Sequence, residues 1–246
     1  MKKYNFLIIF LLSITINGCV HTSNTRNYNN KQDTLFQVST IKALMEGVYE
    51  GAISCGDLKK HGDIGIGTFE ALDGEMVVLG GKIYKAGIDG KVYSVPDSIQ
   101  TPFAVVTHFE QDDKLKILNI ESIKHLKQVI DKILPSNNYF YAIKINGTFN
   151  FIKTRSVPKQ NKPYPPLTKA IKNQSVFEFN NIRGTIVGIW CPEYMKDINV
   201  TGYHFHFLSK DKTKGGHLLE CNVNEANIEI DYTTDFFMVI PKDSNQ

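Results

Sequence analysis

The chain is poor in cysteine and has no hydrophobic run long enough to cross a bilayer. Four cysteines occur in 246 residues, at positions 19, 55, 191 and 221. None has C-x-x-C spacing, and with Cys19 set aside, Cys55, Cys191 and Cys221 cannot form a complete disulfide framework. Burial as small apolar side chains is their expected fate. The most apolar stretch, Phe6 to Ile16, is too short for a membrane anchor. Neither sign of charge dominates: 28 Lys and Arg face 25 Asp and Glu, a net charge of +3, and two of those positives are Lys2 and Lys3. No basic stripe with interleaved aromatics occurs, which excludes a nucleic-acid partner. What remains is 42% hydrophobic and 22% charged, ordinary for a soluble globular chain. Residues 34–246 suffice for one sizeable domain or two small ones.

The N-terminus has the texture of a targeting segment. Lys2 and Lys3 precede the apolar run, which ends in Ile16-Asn17-Gly18-Cys19. An aliphatic residue, a spacer, a small residue and then Cys resembles the bacterial lipobox, so residues 1–18 are expected to be a lipoprotein-type signal peptide with Cys19 the lipidated residue. Residues 19–33 are polar and Asn-rich, as a tether should be. The protein is therefore expected to be exported and held in the cell envelope, touching a membrane only through this lipid.

Beyond the tether, two lobes are expected, 34–157 and 158–246. In the first, Ser39 or Thr40 caps a helix carrying Ile41, Leu44, Met45, Val48 and Tyr49, with Gly51 ending it. Asp73-Gly74, Gly80-Gly81 and Asp89-Gly90 then punctuate a meander of short strands. An amphipathic helix is predicted over 121–134, followed by two strands joined by a turn at Asn146-Gly147. The second lobe runs from a proline-rich loop through a short helix, 167–173, to the strand 184–190 and a final hairpin. Gly67-Thr68 and Gly184-Thr185 stand at similar points of the two halves, a hint of duplication. The pattern predicts an α+β fold of two related lobes, built on mixed β-sheet with flanking helices.

That final hairpin carries the chemistry. In Gly202-Tyr203-His204-Phe205-His206-Phe207 the side chains alternate, so His204 and His206 share one face while the aromatics fill the other. Ser209 to Gly216 form a polar, glycine-closed loop that returns His217 beside them. Three imidazoles on one face, with no fourth ligand in the motif, suit a catalytic divalent metal with an open position. His108, on a predicted strand, is a candidate to hydrogen-bond a ligand from behind, and His125, on the predicted helix, is expected to be solvated.

With the hairpin in place, the chain resembles the alpha-acetolactate decarboxylase family from about Leu35 to Phe237. The resemblance is carried by Gly65-Ile66-Gly67-Thr68-Phe69 with Leu72-Asp73-Gly74-Glu75, by Asn138 to Ile143, and by Thr154-Arg155-Ser156-Val157. Lys162-Pro163-Tyr164, Arg183 to Gly188, the histidine hairpin and Thr234-Asp235-Phe236-Phe237 continue it in order. The resemblance implies a duplicated two-lobed fold, often dimeric, with Zn2+ held by His204, His206 and His217. It matches the family's active-site Glu and Arg to Glu75 and Arg155. The implied reaction is metal-dependent decarboxylation of 2-acetolactate, a 2-hydroxy-3-oxo acid, to acetoin and CO2 through a metal-stabilised enediolate. One departure stands out: the family brings a C-terminal Glu to the metal, and residues 239–246 contain none. Asp243 or the terminal carboxylate is the candidate substitute. Two other classes fit less well. A cupin-like metalloenzyme usually carries a Glu shortly after H-x-H, where Leu208-Ser209-Lys210 stand here. A non-catalytic zinc-binding envelope lipoprotein commonly has a His-rich loop, absent here.

Overall fold

The computed structural model describes residues 33–241. The lipobox-like segment with Cys19, the tether up to residue 32, and Asp243 with the terminal carboxylate lie outside them. Two sheets stack face to face in an α+β arrangement. The first has seven strands, in the order β14 (Asp235–Val239), β1 (Thr34–Val38), β8 (Ala104–Thr107), β3 (Ile64–Thr68), β4 (Glu75–Leu79), β5 (Lys82–Ala86), β6 (Val92–Ser94). It is mixed, because β1 pairs parallel with β14 and antiparallel with β8. The second is antiparallel throughout, in the order β10 (Phe140–Ser156), β11 (Ser175–Cys191), β12 (Gly202–Ser209), β13 (Gly215–Thr233), β9 (Asp113–Ile120), and β10 also pairs with β13. That extra pairing closes the ladder on itself. A minor pair joins β2 (Ile53–Ser54) to β7 (Gln100–Thr101).

Alternation along the strands divides the core. Val77 on β4 and Val105 on β8 meet Ala142, Val187 and Leu208 of the second sheet in the layer between the sheets. Their neighbours Met76, Val78 and Val106 turn outward, onto Cys55 and Leu58 of α2 (Cys55–Leu58). The outer face of the second sheet, with Phe205, Phe207, Ile228 and Ile230, packs on Leu126 and Ile130 of α3 (Ile123–Asp131).

Several expectations need adjustment. The first helix, α1 (Ile41–Met45), has the expected Thr40 cap but is one turn long. Gly47 follows with φ +96°, and Tyr49 enters the inter-sheet core from a loop instead of from a helical face. The helix predicted over 121–134 is α3, capped by Ser122 and shorter at both ends. Asn146-Gly147 is no turn. It lies within the uninterrupted 17-residue β10, with Gly147 paired to Gly184 on one side and Ala226 on the other. A Cβ at Gly147 would stand 2.2 Å from the Glu225 carbonyl, so glycine there permits close strand approach. The short helix at 167 is α4 (Leu167–Ala170) with a 3-10 turn, Ile171–Asn173, appended. The sheets also divide the chain differently from 34–157 and 158–246: β9, α3 and β10 belong with the second sheet, and β14 with the first. Sheet membership follows pairing partners far apart in sequence, and local texture does not report them.

Candidate metal centre

β12 sets His204 and His206 on the face toward the first sheet, while Phe205 and Phe207 face the α3 side. Register supplies the rest. The β12–β13 ladder pairs His206 with His217, and the β10–β13 ladder pairs His217 with Arg155. Arg155, His217 and His206 therefore form one row across three adjacent strands, with His204 a step along β12. Gly216 makes this possible: its φ is +135°, and a Cβ there would lie 2.6 Å from the Arg155 carbonyl. Thr154 Oγ1 donates to the Gly215 carbonyl at 3.1 Å and pins the start of β13.

The first sheet contributes β4. Glu75 is its first residue, paired with Thr68 on β3 and Ala86 on β5, and shares the inward face of Val77. The turn leading into it holds Ala71 and Leu72 at φ of 59° and 58°, two non-glycine residues in the left-handed region. Hydrogen bonds from Ala71 N–H to the Tyr49 carbonyl and from Gln160 N–H to the Ala71 carbonyl hold it there.

One ring nitrogen from each histidine lies within 4.8 Å of the others. His204 Nε2 and His217 Nδ1 are 3.2 Å apart. A tetrahedral ion with bonds of about 2.0–2.1 Å separates its nitrogen ligands by roughly 3.3 Å, so this pair stands at a suitable spacing. His206 Nδ1 donates to the Met76 carbonyl at 2.7 Å, which leaves Nε2 as the lone pair. That Nε2 is buried and accepts no hydrogen bond among the described residues. An orphaned buried acceptor costs about 1–3 kcal/mol, and a cation would relieve it. The donor set therefore fits a divalent ion.

The electrostatics agree. Burial, followed by the Arg155 charge, pushes the His204 imidazole down to about 4. Burial and the neighbouring rings hold His206 and His217 well below the ordinary histidine range. All three are neutral at physiological pH, as ligands must be. Glu75 Oε2 lies 3.6 Å from His206 Nε2, which with a neutral ring is a contact and not an ion pair. Burial lifts the Glu75 carboxyl to about 7, with Arg155 opposing the shift.

These groups open onto a cavity of about 290 Å3. Glu75, Arg155, His204 and His217 supply its polar corner, and Leu44, Leu72, Phe103, Val157, Leu167 and Val200 much of its apolar wall. Thr68 also lines it, its hydroxyl donating to the Gly74 carbonyl at 2.8 Å. The structure thus brings Glu75 and Arg155 to the three histidines. His108 is elsewhere, lining a separate cavity with Phe36, His61 and Phe237, and His125 sits half-buried on α3. The apolar wall and Thr68 were not assigned from sequence. Thr68 stood inside a quoted motif, but the wall residues come from six segments that share no local signal.

The family described as alpha-acetolactate decarboxylase matches residues 35–246. The chain belongs to this family. A Methanosarcina mazei alpha-acetolactate decarboxylase is 47% identical over 87% of this chain and 74% of its own length. One from Brevibacillus brevis is 45% identical over 85% and 74%. The crystal structure of alpha-acetolactate decarboxylase from Bacillus subtilis strain 168 superposes with a TM-score of 0.84 at 37% identity, covering 86% of this chain and 90% of that one. The alpha-acetolactate decarboxylase fold thus extends over nearly all the described residues.

Proposed function

We infer that the protein converts 2-acetolactate to acetoin and CO2. The observation that carries this is the meeting of three neutral imidazoles, a buried carboxyl and an arginine at one small cavity, on the fold of this decarboxylase family. His204, His206 and His217 would hold a divalent ion, with zinc the natural match for three nitrogen donors, and that ion supplies Lewis-acid charge next to the reacting oxygens.

The chain's own residues account for the other steps. Arg155 binds the substrate carboxylate through its fork of donors and orients the bond to be broken. The apolar wall packs the two methyl groups and excludes water, which strengthens each polar contact inside. When the carboxylate leaves as CO2, its bonding pair moves toward the neighbouring ketone. Glu75, with a pKa near neutrality, then delivers a proton to the carbon that lost CO2. Delivery from one side gives acetoin of one hand. A zinc-storage role would need neither the arginine nor a cavity of substrate size.

The test is to load the purified protein with Zn2+, add acetolactate, and follow CO2 and optical rotation. Metal-replete protein that releases no CO2 would overturn the assignment.

A further inference from the structure

Arg155 has five N–H donors, yet its guanidinium makes a single hydrogen bond among the described residues: Nη1 donates to Gln174 Oε1 at 3.3 Å. No ion pair involves it there. The register explains why Gln174 reaches it. β10 and β11 pair Arg155 with Val176 and Ser156 with Ser175, so Gln174 stands one step past the last pair, opposite Val157. Gln174 and Arg155 are thereby diagonal neighbours on the cavity face. The Gln174 backbone is itself held, its N–H donating to the Ile171 carbonyl at 3.2 Å, and Ile171 packs on the inter-sheet core.

We propose that Gln174 is a positioning residue that holds the Arg155 fork toward the cavity while leaving its charge and its other donors for the substrate carboxylate. The proposal rests on the reading of Arg155 given above. An amide oxygen suits this role. It accepts one N–H and neutralises nothing, whereas a carboxylate at the same place would form an ion pair with Arg155 and compete with the substrate. The kinetic consequence is specific. The substrate carboxylate is fully charged in the bound state and loses that charge as neutral CO2 forms. Loosening Arg155 therefore weakens binding more than it slows the chemical step.

The experiment compares parent, Gln174→Ala and Gln174→Glu, all zinc-loaded. It measures acetolactate kinetics, binding of unreactive 2-hydroxyisobutyrate, which carries a carboxylate, and inhibition by acetoin, which lacks one. Gln174→Ala should raise KM and weaken 2-hydroxyisobutyrate by about tenfold, with kcat within about threefold. Acetoin inhibition should be unchanged, and Gln174→Glu should lose more carboxylate affinity than Gln174→Ala. An unchanged KM, or equal weakening of acetoin and 2-hydroxyisobutyrate, would overturn the proposal, the second outcome marking a general structural role. If the parent releases no CO2, the reaction fails, while the 2-hydroxyisobutyrate affinities still decide the role of Gln174.

Discussion

Replacing Glu75 with Gln should make the metal-free protein more stable while abolishing most of its turnover. Glu75 is 8% exposed, and burial raises its pKa from 4.5 to about 7. A carboxyl whose folded pKa is raised costs stability wherever it must ionise. The cost is absent below the unfolded pKa, grows between 4.5 and about 7, and is complete above that. That rise corresponds to about 3 kcal/mol at pH 8 and only about 0.2 kcal/mol at pH 4. Gln resembles the protonated acid and escapes that cost. In a domain of this size the gain equals roughly 6–12 °C in Tm. The assay is thermal unfolding of chelator-treated parent and Glu75→Gln from pH 4 to pH 8, beside CO2 release by the zinc-loaded forms. The two Tm curves should coincide at pH 4 and diverge steadily toward pH 8. A Gln variant no more stable than the parent at pH 8 would refute the reasoning, since Glu75 would then contribute to folding and not oppose it. Near-parent turnover would remove it from the proton step.

His217→Ala should lose bound zinc and turnover together, while chelated parent should regain both on adding Zn2+. Metal at about a thousandfold above its Kd should raise stability by about 4 kcal/mol, read as a Tm shift. Asp231 lies 1% exposed, and burial raises its pKa to about 8, opposed by a backbone hydrogen bond from Glu110 and assisted by Asp112 and other nearby acids. Because the folded pKa is raised, its cost appears above 3.8 and is complete above about 8. Asp231→Asn should therefore stabilise by up to about 4 kcal/mol at pH 7 and by almost nothing at pH 3.5, as measured by denaturant unfolding. For the proposed envelope anchor, Cys19→Ser should move the protein from the membrane fraction to the soluble fraction of exported material. Equal membrane retention in both would discard the lipid.

The three clustered histidines were legible in the sequence because they need only a strand's period of two and one hairpin. Glu75 and Arg155 were not legible in that way. Each looks locally like any strand-end charge, and only family resemblance distinguished them. Their meeting depends on ladders joining residue 155 to residue 217 and on one sheet lying over another. Gln174 was invisible for the same reason, since its partner is set by the β10–β11 register. Local cues misled where glycine had two meanings: Gly74 ends a turn, but Gly147 serves close packing inside a strand. The N-cap at Thr40 was readable, the one at Ser122 was not drawn from the sequence, and helix lengths depended on where tertiary packing resumed.

The bond from His206 to the Met76 carbonyl crosses from one layer of the protein to the other. If the histidines hold an ion as proposed, its capture and the closure of the two halves of the sandwich should be parts of one equilibrium. Stripping the ion should loosen a region that never touches it, and loosening that region should in turn weaken the grip on the ion. A change at Val77, packed between the layers one residue beyond Met76, should be felt at the proposed metal site as a weaker hold on the ion. The same clasp ties the proposed metal site to a fully assembled molecule, because the ring that would bind from one layer is oriented by a carbonyl of the other.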